Sequence, residues 1–439
     1  MQATTKLTAV SNAIEELSVD VGHVLNTTRH HPLGINVDYL MDDDRSHLLS
    51  PKRPLKEALA ELGVKFLRYP GGWKSAINLW SIPPFESSRP SLVGRIPQAW
   101  IRSGLELMSP DGDWRLDPLD FDEFMGVCRA LQAEPCIVVP YESCHWRAKG
   151  EWRPPSRDRL LENATRWVRY AKRAYPGAVK YWEVGNESWL NNETWTNRIP
   201  PETYAADLVD FAAGMKAENP DILVGANGDS DAWWQAVLPR AAAQIDFLSV
   251  HSYPCWKYSG YDHYRTNSPD PLGSVRTAVT AVTRYAPAHQ QRLQIMLTEF
   301  AAGTFGDWDK TPADLGRALM TFDLEGQVLQ CRDVYFSQFW NTHNVYSELD
   351  GGVFDALKRD NTLTPIGRAL WIWNRFLGDE MVATTSTARV RCFASYRVER
   401  QLAVRNKGGD CRLDPVSITV IVLQAARDRE TRGPGPIQQ

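Results

Sequence analysis

Two hydrophobic periods alternate along this chain. Between about Pro32 and Leu377, short runs dense in apolar and aromatic residues read as strands, and each is followed by a longer segment whose apolar positions recur every three or four residues, as on a helix. Eight strands are predicted: PLGINVDY near 32–39, VKFLRY 64–69, PCIVVPY 135–141, VKYWEVG 179–185, ILVGAN 222–227, DFLSVHSY 246–253, LQIMLTEF 293–300 and DVYFSQFW 333–340. Helices are predicted at 52–62, 120–132, 157–174, 202–217, 231–242, 273–285, 312–328 and 364–377. This is the pattern of βα units on a parallel sheet, and eight parallel strands can close on themselves so that no edge is left. The fold class read from the pattern is α/β, a (β/α)8 TIM barrel.

Several helices carry their own boundary signals. In 157–174 the apolar face is Leu160, Leu161, Ala164, Trp167, Val168 and Ala171, with Ser156 as N-cap and Pro176-Gly177 as the stop. In TPADLGRALMTF, Thr311 is expected at the cap and Pro312 at the first helical position, where its missing N–H costs nothing. The connection 71–118 breaks the rhythm, being long and rich in Pro, Gly, Ser and Trp. Since it follows a strand, it belongs on the mouth side of a barrel and is expected to wall a cleft there.

After the last helix the texture changes to short alternating β-type runs, so a small C-terminal antiparallel β domain is expected over 379–426. The arm 1–30, through ELSVDVGHVL, is expected to lend it a strand. The barrel itself is assigned 31–378, and the Pro/Gly-rich tail 427–439 reads as loose.

Composition narrows the class. A net charge of -4 with 23% charged residues gives no pull towards nucleic acid or an anionic membrane. The seven cysteines are odd in number and lack CxxC spacing, so neither a disulfide framework nor a zinc site is expected. No charged-then-apolar leader precedes MQATTKLTAV, and no apolar run approaches about 18 residues, so the chain as it stands reads as cytoplasmic, unless a leader has been trimmed from it. Nothing in the pattern speaks against a homo-oligomer. The 17 Trp and 15 Tyr suit both a large core and surfaces on which sugar rings lie.

Barrel enzymes keep their chemistry at the C-terminal strand tips, so polar residues that end a strand carry weight. Strand four ends in Asn186-Glu187 and strand seven in Glu299. Two carboxyl groups projecting into one cavity from those strands can flank a single ligand bond. Cleaving a glycosidic bond with retention needs such a pair about 5–5.5 Å apart, one as proton donor and one as nucleophile. The donor must hold its proton while the nucleophile is ionised.

WEVGNE and LTEF, in this order on strands four and seven, resemble the clan A retaining glycoside hydrolases. That resemblance implies Glu187 as acid/base and Glu299 as nucleophile, with no cofactor and no metal. FLRYPGG (66–72), LDFDEFMGVCRALQAEPCIVVP (119–140), FLSVHSYP (247–254) and TPIGRALWIWNRFLGDEMVATTS (364–386) resemble more narrowly the family 51 α-L-arabinofuranosidases and their relatives in families 39, 79 and 86. The expected activity is therefore arabinofuranosidase-like hydrolysis of plant or algal carbohydrate. A β-xylosidase, a β-glucuronidase, an agarase-like endo-hydrolase and a non-catalytic carbohydrate-binding barrel are the alternatives. Phe300 stands where family 51 usually has Trp.

Around the pair, Asn186 is expected to donate to the sugar 2-hydroxyl, or else to cap its turn. Arg68 is expected to pair with the deeper Glu183, and either to hold Glu299 or to serve structure alone. Tyr253, by the resemblance, would touch the nucleophile. His251 would meet substrate, unless it is a satisfied core histidine. Tyr141, Trp340 and Trp73 complete the predicted substrate-binding set, Trp340 as a sugar platform. Arg29-His30-His31 and the acidic run Asp42, Asp43 and Asp44 read as solvated loop charge, because neither spacing sets two metal ligands on one face.

Overall fold

The computed structural model describes residues 17–45, 53–93, 117–148, 153–190, 198–255, 258–267, 270–302, 310–345, 347–386 and 391–397. In chain order the strands are β1 (Leu17–Thr27), β2 (Leu33–Asn36), β3 (Phe66–Tyr69), β4 (Asn78–Leu79), β5 (Ser91–Leu92), β6 (Glu134–Val139), β7 (Tyr181–Val184), β8 (Leu223–Asn227), β9 (Phe247–Ser252), β10 (Gln294–Phe300), β11 (Val334–Phe339), β12 (Glu380–Ser386) and β13 (Ala394–Tyr396). The helices are α1 (Leu55–Leu62), α2 (Phe121–Leu131), α3 (Arg157–Ala174), α4 (Pro201–Glu218), α5 (Asp231–Ala241), α6 (Tyr261–Asn267), α7 (Gly273–Tyr285), α8 (Leu315–Leu329) and α9 (Pro365–Phe376). Strands β2, β3, β6, β7, β8, β9, β10 and β11 close into one parallel barrel, each predicted strand supplying one stave.

Residue parity sorts the barrel interior into layers. Phe66, Cys136, Tyr181, Phe247, Met296 and Phe336 form an apolar floor cluster. Two residues further along five of these strands stand Arg68, Glu183, Ser249, Thr298 and Gln338, all buried, and Asn36 joins them from β2. Side chains two apart on a strand share a face, so a polar storey is stacked on the floor, nearer the C-terminal strand ends. The remaining core lies between sheet and helices, where Trp167, Trp182, Trp234 and Tyr204 are fully buried.

Strand β10 departs from simple alternation. Its pairing with β9 runs Leu297 to Val250 and then Glu299 to His251, which leaves Thr298 as an extra residue. A bulge of this kind reverses the facing of everything beyond it. Strict alternation from Met296 would send Glu299 outward; after the bulge it faces the barrel axis.

Eight helices form where predicted, with two differences at one side of the barrel. Helix α8 starts at Leu315, capped by Asp314, whose carboxylate accepts from the Arg317 N–H at 2.8 Å. Pro312 instead bridges to Gly352 and the Thr311 carbonyl accepts from Val353, so tertiary pairing displaces the predicted Thr311 cap. The short α6 has no counterpart in the predicted set; its Tyr264 is buried against α8, with its hydroxyl donating to Asp323. The N-cap of α3 is Ser156 as predicted.

Outside the barrel, β1 pairs antiparallel with β12 and β12 with β13. The predicted β-type runs beyond residue 397, the tail 427–439 and part of the long connection lie outside the described residues. Among the described residues no helix is long and apolar enough to cross a membrane.

Candidate active site

The polar storey and the strand tips above it converge on Arg68. This guanidinium is fully buried, and its Nε donates to Glu183 at 2.9 Å. Its Nη1 donates to Glu299 at 2.7 Å and to Asn36 at 2.9 Å, and its Nη2 donates to Asn186 at 2.8 Å. Burial works against the charge, but the adjoining Glu183 and Glu299 carboxylates more than offset it and raise the Arg68 pKa. One cation thus faces two buried carboxylates. Glu183 takes a second bond from the Ser249 hydroxyl at 2.6 Å, and Glu299 a second from the Tyr253 hydroxyl at 2.7 Å.

Glu187 stands on the turn that leaves β7. Gly185 and Glu187 both adopt left-handed backbone, with φ of 78° and 53°. For a residue with a Cβ this is uncommon and holds only where surroundings impose it. Glu187 keeps 22% side-chain exposure while Glu299 keeps 4%, so one carboxyl meets the open cleft and the other sits at its base. His251 lies between them, its Nδ1 3.0 Å from Glu187 Oε1 and 3.4 Å from Glu299 Oε2. Burial disfavours the imidazolium, yet Glu299 and Glu187 outweigh it and raise the His251 pKa.

Glu187, His251 and Glu299 can each offer one ligand atom, and these atoms all lie within 4.8 Å of one another, close enough for a divalent cation to bridge. The surroundings argue for a proton in that place. Arg68 already supplies a full positive charge to Glu299 and His251 favours its own protonated form, so a second cation would be repelled.

Of the predicted set, Asn186, Arg68, His251 and Tyr253 gather around Glu187 and Glu299. Trp340, after β11, lies against Gly72, and Lys74 approaches its ring at 4.9 Å. Trp73 stacks on Trp146 with centroids 5.5 Å apart, so one of its faces is taken. Tyr141 is a correction: it points away from the barrel axis, packs on Tyr204 and Phe211, and donates its hydroxyl to Asp207 of α4. Its ring is core, which outweighs its place near a strand end.

The acidic run is a second correction. Asp42 and Asp43 are buried; Asp42 bonds the Thr342 hydroxyl and His343, and Asp43 is paired with Arg45. Only Asp44 is exposed. His30 stacks on Tyr335 beneath the barrel. The sequence reading passed over Asp38 and Asn227, although both are polar residues at strand ends and the same filter finds them. Asp38 pairs with Lys74 at 3.0 Å, and Asn227 accepts from the Ser188 N–H at 2.9 Å.

The fold and its strand-end carboxylates define the class, a (β/α)8 barrel with an acidic pair on its fourth and seventh strands. Within that class the curated sequence relatives are named as arabinofuranosidases. The chain is 28% identical over 294 residues to a probable α-L-arabinofuranosidase C of Aspergillus terreus, covering 60% of this chain and 52% of the relative. It is 26% identical over 307 residues to α-L-arabinofuranosidase C of Emericella nidulans, with the same 60% and 52% coverage. The chain thus spans about half the length of the curated relatives it matches. An α-L-arabinofuranosidase of Thermotoga maritima solved with arabinose shares the fold at a TM-score of 0.62 and 21% identity, covering 86% of this chain and 77% of that one. A family 51 α-L-arabinofuranosidase of Bifidobacterium longum gives 0.62 at 16%, covering 85% and 79%. No family model matches the chain. In sequence the chain is similar to these arabinofuranosidases and it shares the barrel fold of the solved ones, in line with the narrower resemblance that FLRYPGG and the other matching stretches suggested.

Proposed function

We propose that this protein is a retaining glycoside hydrolase acting on α-L-arabinofuranosides. The observation that carries the reading is an oxygen of Glu187 and one of Glu299 within 4.8 Å across the barrel mouth. That spacing suits direct attack by one carboxylate, whereas an inverting pair needs roughly 6.5–9.5 Å to admit water. The arabinofuranosidase relatives and solved neighbours support the sugar.

In the first step the Glu299 carboxylate attacks the anomeric carbon as the glycosidic C–O bond breaks, and Glu187 passes its proton to the departing oxygen. A glycosyl ester on Glu299 results. Glu187, now a carboxylate, takes a proton from water, whose oxygen displaces Glu299 and restores both groups. Arg68 and Tyr253 each hold one Glu299 oxygen and so orient the nucleophile. The Asn186 side-chain oxygen is occupied by Arg68 while its buried Nδ2 has no partner among the described residues, leaving a donor for the sugar 2-hydroxyl. His251 shares a hydrogen bond with Glu187 on the acid side. Trp340 offers an apolar wall, and no step calls for a cofactor.

The test is release of a chromogenic aglycone from an aryl α-L-arabinofuranoside by the wild type, Glu187→Gln and Glu299→Gln. Removing a general acid is expected to cost about 10²–10⁴-fold, and a mechanism-based fluoroglycoside should esterify Glu299. Equal rates in all three proteins, or a label elsewhere, overturn the mechanism. Preference for aryl xylosides, glucuronides or galactans over the arabinofuranoside overturns the sugar.

A further inference from the structure

Glu142 is a further buried carboxyl group at the barrel mouth, and the chemistry above leaves it without a task. It opens the short 3₁₀ turn Glu142–His145 that follows β6, and it is 4% exposed. Its Oε1 accepts from the Asn186 N–H at 2.9 Å and from the Ser188 hydroxyl, the residues on either side of Glu187. Its Oε2 is buried without a partner among the described residues. The fit is close: a Cβ placed on Gly185 would stand 2.2 Å from Glu142 Oε1, so the carboxyl group occupies space that only glycine leaves open.

We propose that Glu142 is a positioning residue for proton transfer: it clamps both flanks of the left-handed turn and so aims Glu187 at the leaving oxygen. It does not touch the sugar. Glu142 holds the backbone N–H of residue 186 and the side-chain hydroxyl of residue 188, and Asn227 holds the residue 188 N–H from the β8 side at 2.9 Å. Glu187 has no such brace on its own N–H among the bonds formed by Glu142, so its left-handed conformation depends on its neighbours being fixed. Burial also pushes the Glu142 carboxyl up to about 7, against the bonds it accepts from Ser188 and Asn186. A neutral amide at this position therefore mimics the protonated group, with Oε1 still able to accept both bonds.

The inference rests on Glu187 being the acid/base. Its signature is selectivity for the leaving group, because an aglycone that departs readily needs no proton and a poor one does. The experiment compares dinitrophenyl and unsubstituted phenyl α-L-arabinofuranosides with wild type, Glu142→Ala, Glu142→Asp, Glu142→Gln and Glu187→Gln, with thermal unfolding recorded for each protein. For Glu142→Ala we expect a loss of about 10²-fold in kcat/KM, which reports the first step alone, on the phenyl glycoside, the scale of a displacement near 1 Å, and a loss within about threefold in kcat/KM on the dinitrophenyl glycoside. Glu142→Gln should stay within about threefold of wild type on both, since it keeps the acceptor.

An equal loss of Glu142→Ala on both substrates, or no loss on either, overturns the proposal. Should Glu142→Ala fail to fold, Glu142→Asp decides, because the shorter side chain keeps a carboxyl group but withdraws the acceptor; the same selectivity supports the proposal and its absence overturns it. If Glu187→Gln is itself unselective, the acid/base assignment is what fails. A selective Glu187→Gln beside unselective Glu142 variants removes only the role given to Glu142.

Discussion

Replacing Arg68 by Met tests whether one guanidinium is the counter-charge of two buried carboxylates. The substitution keeps much of the apolar stem and deletes the four donor contacts to Glu183, Glu299, Asn36 and Asn186. Removing one member of a buried ion pair costs about 3–5 kcal/mol, because the other charge is left uncompensated. Here two carboxylates lose the guanidinium together; Glu183 keeps the Ser249 hydroxyl, and Glu299 keeps the Tyr253 hydroxyl with His251 Nδ1 at 3.4 Å, so a loss within that range applies. Arg68→Lys keeps the charge but offers three donors to four acceptors; at least one charged bond is lost, at about 1.5–3 kcal/mol. Urea unfolding should rank wild type above Arg68→Lys and Arg68→Met lowest. Both variants should lose about 10²-fold or more in kcat/KM, since the fork orients Glu299 and Asn186 together. Adding Glu183→Gln to Arg68→Met removes one stranded charge and should return at least about 1 kcal/mol. Stability of Arg68→Met within about 1 kcal/mol of wild type, with no recovery in the double variant, would refute the shared counter-charge.

Three other outcomes follow from the same physical reading. Burial pushes Glu325 of α8 up to about 8 from an ordinary 4.5, against a bond from Ser337, so the folded protein keeps this proton where the unfolded chain releases it. Its contribution to stability is complete below 4.5 and is lost as pH rises to about 8; the loss is at most about 1.4 kcal/mol per pH unit. Glu325→Gln lacks that slope, so its stability relative to wild type should rise between those limits, and parallel unfolding curves would contradict this. Gly72→Ala forces a left-handed φ of 61° on alanine and puts its Cβ 1.9 Å from the Trp340 ring; destabilisation of about 1–3 kcal/mol together with lower activity is expected, and wild-type values in both assays would show that Trp340 gives way freely. Activity should survive exhaustive chelation, because Arg68 already supplies the positive charge beside Glu299; loss with EDTA and recovery on adding a divalent ion would reverse that conclusion.

What lay open in the sequence was whatever depends on neighbours along the chain. The eight strands, eight of the nine described helices and the Ser156 cap were legible because periodicity and capping act within a few residues. So was the approach of Glu187 and Glu299, since strand-end position in a barrel follows from strand count. The misreadings share one cause. Tyr141, Asp42 and the start of α8 were judged by position in the chain, and each was decided by a distant partner: Asp207, then His343 and Thr342, then Gly352.

By itself the sequence determined the kind of barrel and the strands that carry its acidic residues, because hydrophobic period and strand-end polarity are local properties. Only the tertiary structure supplied the means: the bulge at Thr298 that turns Glu299 inward, and the one buried cation, Arg68, that Glu183, Glu299, Asn36 and Asn186 share. The reason is physical: a charge can be buried only where partners from other strands meet it, and barrel closure, which no local pattern contains, is what brings those strands together.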